Sequence, residues 1–582
     1  MPYLAKGVPA NDRRQILFLI FVVLSLYVFA VSAPINLIDD AGILKFYRDP
    51  RLGFLDVVRP GSGYYYRPLI SLSFYLDHLL LNQNSYLLHL ENILVHAANA
   101  VLLFLLAKRM LPPASRVLPL VTALIFATHP VNVEAVNWIA GRTDPLALLF
   151  VLLSSLALLK GVDSSRTGYT ILSVLFLAAG VLAKETALLF VPGSFLLIRG
   201  WLLTRSEDPE AGRRARRQSR VLFLSYCGIC LAFALLLLLR AKSDGNSLSK
   251  LLSGGAERLA DAVPLGLSLL GFYLKKLVFP WPLNFGIISV SRWYALPALL
   301  SLSALFFLPR KNPHFHMVLI GLLFLVPALV VGVFDLAWTV VAERYLYLPC
   351  AFFCLGATGY LSQVTARVRR RGVLVAVVSL VLAIAAFASL QRTRVWQSNL
   401  ALYRDTVAKS PDFAMLHNTL AVTLIQAGRL SEARHELNLA SSLEPSALLK
   451  GLIRRNMLLI DLTGRSRQES RRFFNLYALE KSQEDTEILE AWKMTDDGLF
   501  KTLPAGAERD SVVEELIEVN QALYARKSDP FLLYNNGQLW LERGDRKRAA
   551  ECFAESSRKA PEWAHYRVAA QKLAQKLGGG AI

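Results

Sequence analysis

Apolar stretches long enough to cross a bilayer recur through the first two thirds of this chain, and short basic loops separate them. A bilayer core takes about 20 apolar residues of helix. Such runs lie near 15–33, 90–107, 117–128, 145–160, 169–183, 186–203, 221–239, 294–309, 317–334, 346–364 and 373–390. In lipid, each backbone N–H and C=O has to be bonded within the protein, which favours helices for runs of this length. A soluble chain of 582 residues would need more surface charge than 19% charged against 54% hydrophobic residues supplies. The expected fold is all-α: a polytopic membrane helix bundle of about 11 spans in residues 1–395. The stretch 263–274 ends at Lys275 and Lys276 and has the length of a re-entrant or interfacial helix as much as of a span. Lys6, Arg13 and Arg14 precede the first run as in a signal peptide. Pro34-Ile35-Asn36 then continues into polar sequence without a small-residue cleavage site, so an uncleaved first span is expected.

The net charge of +20 is confined largely to loops. Arg213, Arg214, Arg216, Arg217 and Arg220 form one cluster, and Arg367, Arg369, Arg370 and Arg371 another. Cationic loops between apolar runs mark the cytoplasmic side. The basic loops agree with one another if the 263–274 stretch does not cross, with the N-terminus inside and everything after 391 outside. No aromatic-interleaved basic face accompanies the charge, which argues against nucleic-acid binding. Five cysteines make neither a disulfide framework nor a zinc set.

Amphipathic helical patterning replaces the long apolar runs from residue 411. Around Gly428 stand Leu420, Ala421, Ala433, Leu437, Ala440 and Pro445. Around Gly544 stand Gly537, Ala549, Phe553 and Pro561, with Ser556 in place of an alanine. Small residues at these offsets let two helices approach closely, and the proline ends the unit. The pattern is similar to the tetratricopeptide repeat, with copies at 412–445 and 530–561 in a domain spanning 396–582. A degenerate copy at 450–482 would place Gly464 and Phe473 at the same spacing, and 483–528 is helical but unassigned. Such repeats stack into a concave surface that holds a peptide or a partner protein; a structural platform without a ligand is the plainer alternative.

The proposed outer side collects the polar residues that loop anchoring does not explain. Asp39 and Asp40 follow the first span. Tyr64-Tyr65-Tyr66-Arg67-Pro68-Leu69 sets a cation among aromatics. His129-Pro130 precedes Glu134, Asn137, Trp138, Gly141, Arg142 and Asp144; if 131–142 is one helix, Glu134, Asn137, Trp138, Gly141 and Arg142 share a face. Lys184-Glu185 sits between two apolar runs, where a charged pair is costly unless it neutralises itself or serves a site. Glu343-Arg344 opens the next-to-last span. Interfacial solvation accounts for the aspartates equally well, a snorkelling anchor for Arg67, and local ion pairing for Lys184-Glu185 and Glu343-Arg344.

A site at the membrane boundary with acids and cations suits a lipid-linked phosphosugar arriving from the bilayer and a hydrophilic acceptor from outside. Asp39 or Asp40 would accept the acceptor's hydroxyl proton. Arg67, Arg142, Lys184 and Arg344 would stabilise charge on the departing phosphate. No glycine-rich phosphate loop, HExxH or GxSxG pattern occurs, so nucleotide hydrolysis, metalloprotease and lipase chemistry find no support. The sequence implies no definite cofactor and does not decide a need for a divalent metal.

An ordered motif set covers most of the chain. It comprises the acidic pair after the first span, Tyr66-Arg67-Pro68-Leu69, His89-Leu90-Glu91-Asn92, His129-Pro130-Val131-Asn132-Val133-Glu134-Ala135-Val136, Gly141-Arg142-Thr143-Asp144, Ala183-Lys184-Glu185, Glu343-Arg344-Tyr345-Leu346-Tyr347-Leu348-Pro349 and the trailing repeats. With it the chain resembles the transmembrane and tetratricopeptide-repeat-containing O-mannosyltransferases and their bacterial relatives. The resemblance implies a GT-C membrane glycosyltransferase fold, a polyprenyl- or dolichyl-phosphate sugar donor, and repeats on the same side as the active site. It maps the family's external acidic motif onto Asp39 and Asp40, the first acid being the favoured base. His129, Glu134, Asp144 and Glu185 join the four cations as candidate donor-binding residues, with no metal ligands. The expected activity is inverting transfer of a sugar, a mannose-like hexose among the candidates, to a protein or glycan hydroxyl. A ligase or polymerase using a lipid-linked glycan and a non-catalytic scaffold that docks partners on the repeats are the rivals. The chain has no N-x-Ser/Thr sequon, which favours a bacterial inner membrane with periplasmic repeats; in a eukaryote the setting would be the ER membrane with lumenal repeats.

Overall fold

The computed structural model describes residues 9–47, 53–58, 66–112, 116–205, 208, 210–243, 255–365, 371–462, 486–561, 564 and 566–578. Lys6, Tyr64, Tyr65, Arg367, Arg369 and Arg370, and Gly464 and Phe473 of the expected degenerate repeat, lie outside the described residues. Among the described residues the fold is helical, with a single antiparallel bridge between Ile287 and Val341. The chain divides into two units, Met1–Arg48 with Tyr65–Ser410, and Asp49–Tyr64 with Pro411–Ile582.

In the first unit, seven described helices are long and apolar enough to span a membrane: Ala10–Ser32, Ser85–Met110, Ala140–Ser164, Glu185–Thr204, Pro313–Phe334, Glu343–Gln363 and Gly372–Trp396. Leu118–Thr128 and Pro130–Asn137 make an eighth if taken as one span, bent by 50° at His129. The bend falls where Pro130 removes a backbone donor from the helix. Pro68–Leu81, Thr167–Ala183 and Arg292–Phe307 are shorter apolar helices. The run expected at 221–239 lies inside helix Ala211–Ser243. The 263–274 stretch belongs to the longer helix Gly255–Val278.

Local chemistry sets the helix starts. Asn84 accepts a hydrogen bond from the Tyr86 N–H, and Asn312 accepts one from His314 N–H ahead of Pro313; each satisfies a donor that the first turn leaves unpaired. Between helices, Ser154 Oγ donates to the Ser173 carbonyl at 2.8 Å. His96 Nδ1 lies 2.7 Å from the Tyr347 hydroxyl, to which the Asn99 amide also donates. Polar ties of this kind add to close packing where apolar burial gives little preference for helix over lipid.

The order of helices puts the unusual polar segments together. The chain leaves Ala10–Ser32 at 33–40, enters Ser85–Met110 near His89, and turns at 129–142 between its bent pair and Ala140–Ser164. It turns again at 184–185, at 335–344, and after Trp396. Contacts between them bring these turns together: the Ala140 N–H donates to Asp40, Arg344 pairs with Glu134, and Lys184 with Asp144.

In the second unit, helices Ala414–Gln426 and Leu430–Ser442 form one helix–turn–helix, and Pro530–Glu542 and Arg546–Lys559 another. Each turn carries a left-handed glycine, Gly428 at φ 72° and Gly544 at φ 78°. The next N–H reaches back to a carbonyl five residues earlier, Arg429 to Leu424 and Asp545 to Trp540, at 2.9 Å each. That is the Schellman way of closing a helix end, and it needs a residue at ease with positive φ. Ala433, Leu437, Ala440, Ala549, Phe553 and Ser556 are fully buried, as their spacing predicts. Helix Asn399–Lys409, which a sequence boundary at 395 assigns to the repeats, groups with the first unit.

Candidate active site

The acidic pair opens the short helix Asp40–Tyr47. Asp40 is buried, and its two oxygens are taken by backbone donors: Ala140 N–H to Oδ1 at 2.8 Å and Asn36 N–H to Oδ2 at 3.2 Å. It therefore ties the loop after the first span to the turn Ala140–Arg142. Burial pushes its carboxyl up to about 7, against the two N–H donors; nearby Asp39 adds to the rise and Arg142 opposes it. Asp39 is partly exposed. Burial raises its carboxyl as well, and the field of Arg344 acts in the opposite sense. A carboxylate that is raised yet reachable from solvent suits proton acceptance.

Arg344 acts on Asp39 and Arg142 on Asp40, and these two cations, like Lys184 and Arg67, each hold a carboxylate from a distant part of the chain. Arg344 Nη1 lies 2.5 Å from Glu134 Oε1, and its Nη2 donates to Thr339 Oγ1 at 3.3 Å. Its guanidinium sits over the rings of Trp138 and Tyr345, 5.0 and 4.9 Å from their centroids. Arg142 pairs with Asp77 at 2.5 Å and lies 4.1 Å over the Phe74 ring, with Glu91 at 3.6 Å. Lys184 Nζ is 2.7 Å from both Asp144 oxygens. Arg67 forms a two-pronged pair with Glu185 at 2.6 and 3.0 Å. Burying a charge is costly unless it is paired and hydrogen-bonded, and removing one partner then costs more than the pair supplied.

These pairings correct several sequence expectations. Lys184 and Glu185 do not neutralise each other: Lys184 is bound to Asp144, and Glu185 to Arg67. Glu343 does not pair with Arg344. It accepts Lys276 Nζ at 2.6 Å and the Asn284 N–H at 2.9 Å. The single helical face over 131–142 is not formed either. Helix Val133–Asn137 ends at Trp138, whose backbone is extended, and Ala140–Arg142 is a separate 3-10 turn. The Asn92 amide holds the Trp138 carbonyl at 2.8 Å at this break. Glu134 and Arg142 reach the site from two short elements instead of one stripe.

His129 sits at the bend with both ring nitrogens occupied. Nδ1 accepts from the Val131 N–H at 3.4 Å, and Nε2 lies 3.0 Å from the Leu277 carbonyl. Its geometry is that of a backbone brace. Asp77 and Lys276 take part in these pairs without being candidates in the sequence, whereas Glu343 is singled out there, but as a partner for Arg344. Asp77 falls in an otherwise apolar helix, and Lys276 reads as the end of a hydrophobic run, so only their burial gives them away. Asn137 is fully buried, and neither its amide nor the indole N–H of Trp138 finds a hydrogen-bond partner among the described residues. Buried groups of this kind ordinarily have partners. Among the described residues no cluster of three or more His, Cys, Asp or Glu is arranged to hold a metal ion.

The chain is similar to several known proteins. Residues 68–237 match the family model described as dolichyl-phosphate-mannose-protein mannosyltransferase. The human protein O-mannosyl-transferase TMTC1 is 28% identical over 438 residues, which is 65% of this chain and 48% of that protein. Human TMTC4 is 26% identical over 63% of this chain and 56% of its own length. A shorter stretch of 110 residues, 19% of this chain and 13% of the relative, is 41% identical to mouse TMTC2. The chain spans about half the length of the long matches. By the matched model and these relatives, the chain is similar to protein O-mannosyl-transferases over about two thirds of its length.

Proposed function

We propose that this protein moves a sugar from a polyprenyl-phosphate donor to a protein or glycan hydroxyl on the non-cytoplasmic side of the membrane, with inversion and with Asp39 as base. The observation that carries the reading is the division of labour in the acidic pair. Asp40 is buried and spent on two backbone donors, whereas Asp39 stays partly exposed within the field of Arg344. Asp39 takes the proton of the acceptor hydroxyl as the acceptor oxygen bonds to the anomeric carbon. The bond from that carbon to the phosphate oxygen breaks on the opposite face, and the lipid phosphate departs as an anion. Its charge falls among Arg344, Arg142, Lys184 and Arg67. Each is already held by a carboxylate, so the cations are preorganised before the charge develops. The Asn137 amide and the Trp138 indole N–H would take hydroxyls of the sugar. The repeats of the second unit would present the acceptor, and a bacterial inner membrane with periplasmic repeats is the setting that fits the missing sequons.

The test uses the purified full chain in lipid nanodiscs with radiolabelled polyprenyl-phosphate hexoses and a hydroxyl-bearing acceptor peptide. The intact protein should label the acceptor, and Asp39→Asn should lose activity on the order of a hundredfold or more. Labelling at equal rates by both proteins would falsify the assignment of the base. A donor requirement for a glycan chain instead of a single sugar would favour the ligase alternative.

A further inference from the structure

Helix Asn399–Lys409 follows the last span and is tied to the loops around the site at both ends. Near its start, Tyr403 is fully buried and its hydroxyl donates to Asn36 Oδ1 at 3.0 Å while accepting the Leu37 N–H at 3.2 Å. The Asn399 amide donates to the Ile35 carbonyl at 2.9 Å. Asn36 is the residue whose N–H binds Asp40. The start of the helix therefore fixes the loop that carries both aspartates.

At the other end, Lys409 Nζ donates to the Leu283 carbonyl at 2.8 Å, and Ser410 Oγ donates to the Gly286 carbonyl at 2.7 Å. The Asn284 amide returns a bond to Ser410 Oγ at 2.8 Å, while the Asn284 N–H holds Glu343, the neighbour of Arg344. Between the ends lies a ring cluster centred on buried Phe285. Its ring is 6.5 Å from Tyr403, 5.1 Å from Trp396, 5.6 Å from Trp338 and 5.5 Å from Trp138. Trp138 and Trp338 in turn flank the Arg344 guanidinium. The helix is itself fixed to the end of the last span by Arg392 and Asp405 at 2.5 Å.

From these contacts we infer that helix Asn399–Lys409 is a positioning element that sets the distance between the proton acceptor and the Arg344 cation, with Tyr403 as its principal residue. The inference rests on the sugar-transfer reading for its chemical meaning. Eleven residues of helix cover roughly 16 Å, the scale of a site that must hold an acceptor, a sugar and a phosphate. The two ends should fail differently. Loosening the Tyr403 end moves the base and slows the proton-transfer step. Loosening the Ser410 end frees the loop behind Glu343 and lets Arg344 drift from the donor phosphate.

The full chain in nanodiscs is compared with Tyr403→Phe, Ser410→Ala and, as a control at an exposed position of the same helix, Ala408→Ser. Tyr403→Phe keeps the ring against Phe285, so the fold is retained. It should lower kcat roughly tenfold, as expected for a sub-ångström misplacement, with the donor KM unchanged and faster hydrogen exchange in residues 35–40. Ser410→Ala should raise the donor KM and speed exchange in 283–287, and Ala408→Ser should match the wild type. Unchanged exchange at 35–40 in Tyr403→Phe overturns the inference whatever the activity. So does wild-type kcat in that variant. If the wild type transfers no sugar but exchange responds as described, the positioning contacts are supported and the sugar-transfer reading is the one that fails.

Discussion

Gly141 offers a sharp test because two opposing effects of one methyl group can be weighed. A Cβ built there would lie 2.9 Å from the Ala135 carbonyl oxygen and 3.2 Å from both Ala135 Cα and the Glu134 carbonyl oxygen. All three are backbone atoms, so no side chain can swing aside. In an ordinary helical turn, replacing glycine by alanine stabilises by about 1 kcal/mol. Here overpacking against rigid backbone costs roughly 1–3 kcal/mol, so the clash should prevail by a modest margin. Relief requires the Ala140–Arg142 turn to move by about 0.5 Å, which stretches the Ala140 N–H bond to Asp40 from 2.8 Å toward the outer limit of a hydrogen bond. The same motion drags Arg142 from Asp77. If about 1 Å of misplacement costs a hundredfold in rate, half of that costs about tenfold. Gly141→Ala should therefore lose about tenfold in kcat at near-normal yield from the membrane. Gly42→Ala is the control: it lies on the helix beginning at Asp40 with nothing within 4 Å of the new Cβ, and should transfer within twofold of the wild type. Wild-type turnover by Gly141→Ala, or an equal loss in Gly42→Ala, would refute the reasoning.

The acid limb of the kcat/KM profile should lie above the ordinary carboxylate range. Asp39 must be ionised to accept a proton and burial raises its carboxyl; protonating buried Asp40, which is pushed up to about 7, weakens its hold on the Ala140 and Asn36 N–H groups, so activity should fall as pH drops below neutrality, and a flat profile between 5 and 7 contradicts this. Asp144→Leu and Lys184→Met should each lose roughly 3–5 kcal/mol by stranding a buried charge. The double substitution should recover folded yield in detergent but not transfer, and recovery of both would remove Lys184 from the site. In the second unit, a Cβ at Gly537 would lie 2.7 Å from the Phe553 ring. Gly537→Ala should therefore lower local stability by roughly 1–3 kcal/mol, seen as faster hydrogen exchange across 530–559 with sugar transfer by the first unit tested separately on a free hydroxyl acceptor.

The legible part of this chain was whatever repeats along it. Apolar length marked the spans, and small residues around Gly428 and Gly544 marked the helix pairs, because both signals depend on neighbours a few positions away. The acids and cations were legible as residues but not as partners. Arg344 meets Glu134 across 210 positions and Lys184 meets Asp144 across 40, whereas sequence proximity suggested Glu343 and Glu185. Adjacent residues on a tight turn point apart, so the nearest opposite charge in the chain is a poor guide to the nearest in space. The 131–142 face failed for a related reason. Helical spacing was present, but the Asn92 bond to the Trp138 carbonyl favours an extended residue where the pattern asked for another turn. Asp77 carried no signal beyond being one acid in an apolar helix.

Helix Asn399–Lys409 also bears on how the protein could be rebuilt. A chimera that keeps this membrane unit but exchanges the repeats for another array should be joined after Ser410. A junction drawn at the last span, near 396, would discard Tyr403 and Ser410 with the second unit and, on the sugar-transfer reading, should leave a membrane unit that inserts correctly yet turns over poorly.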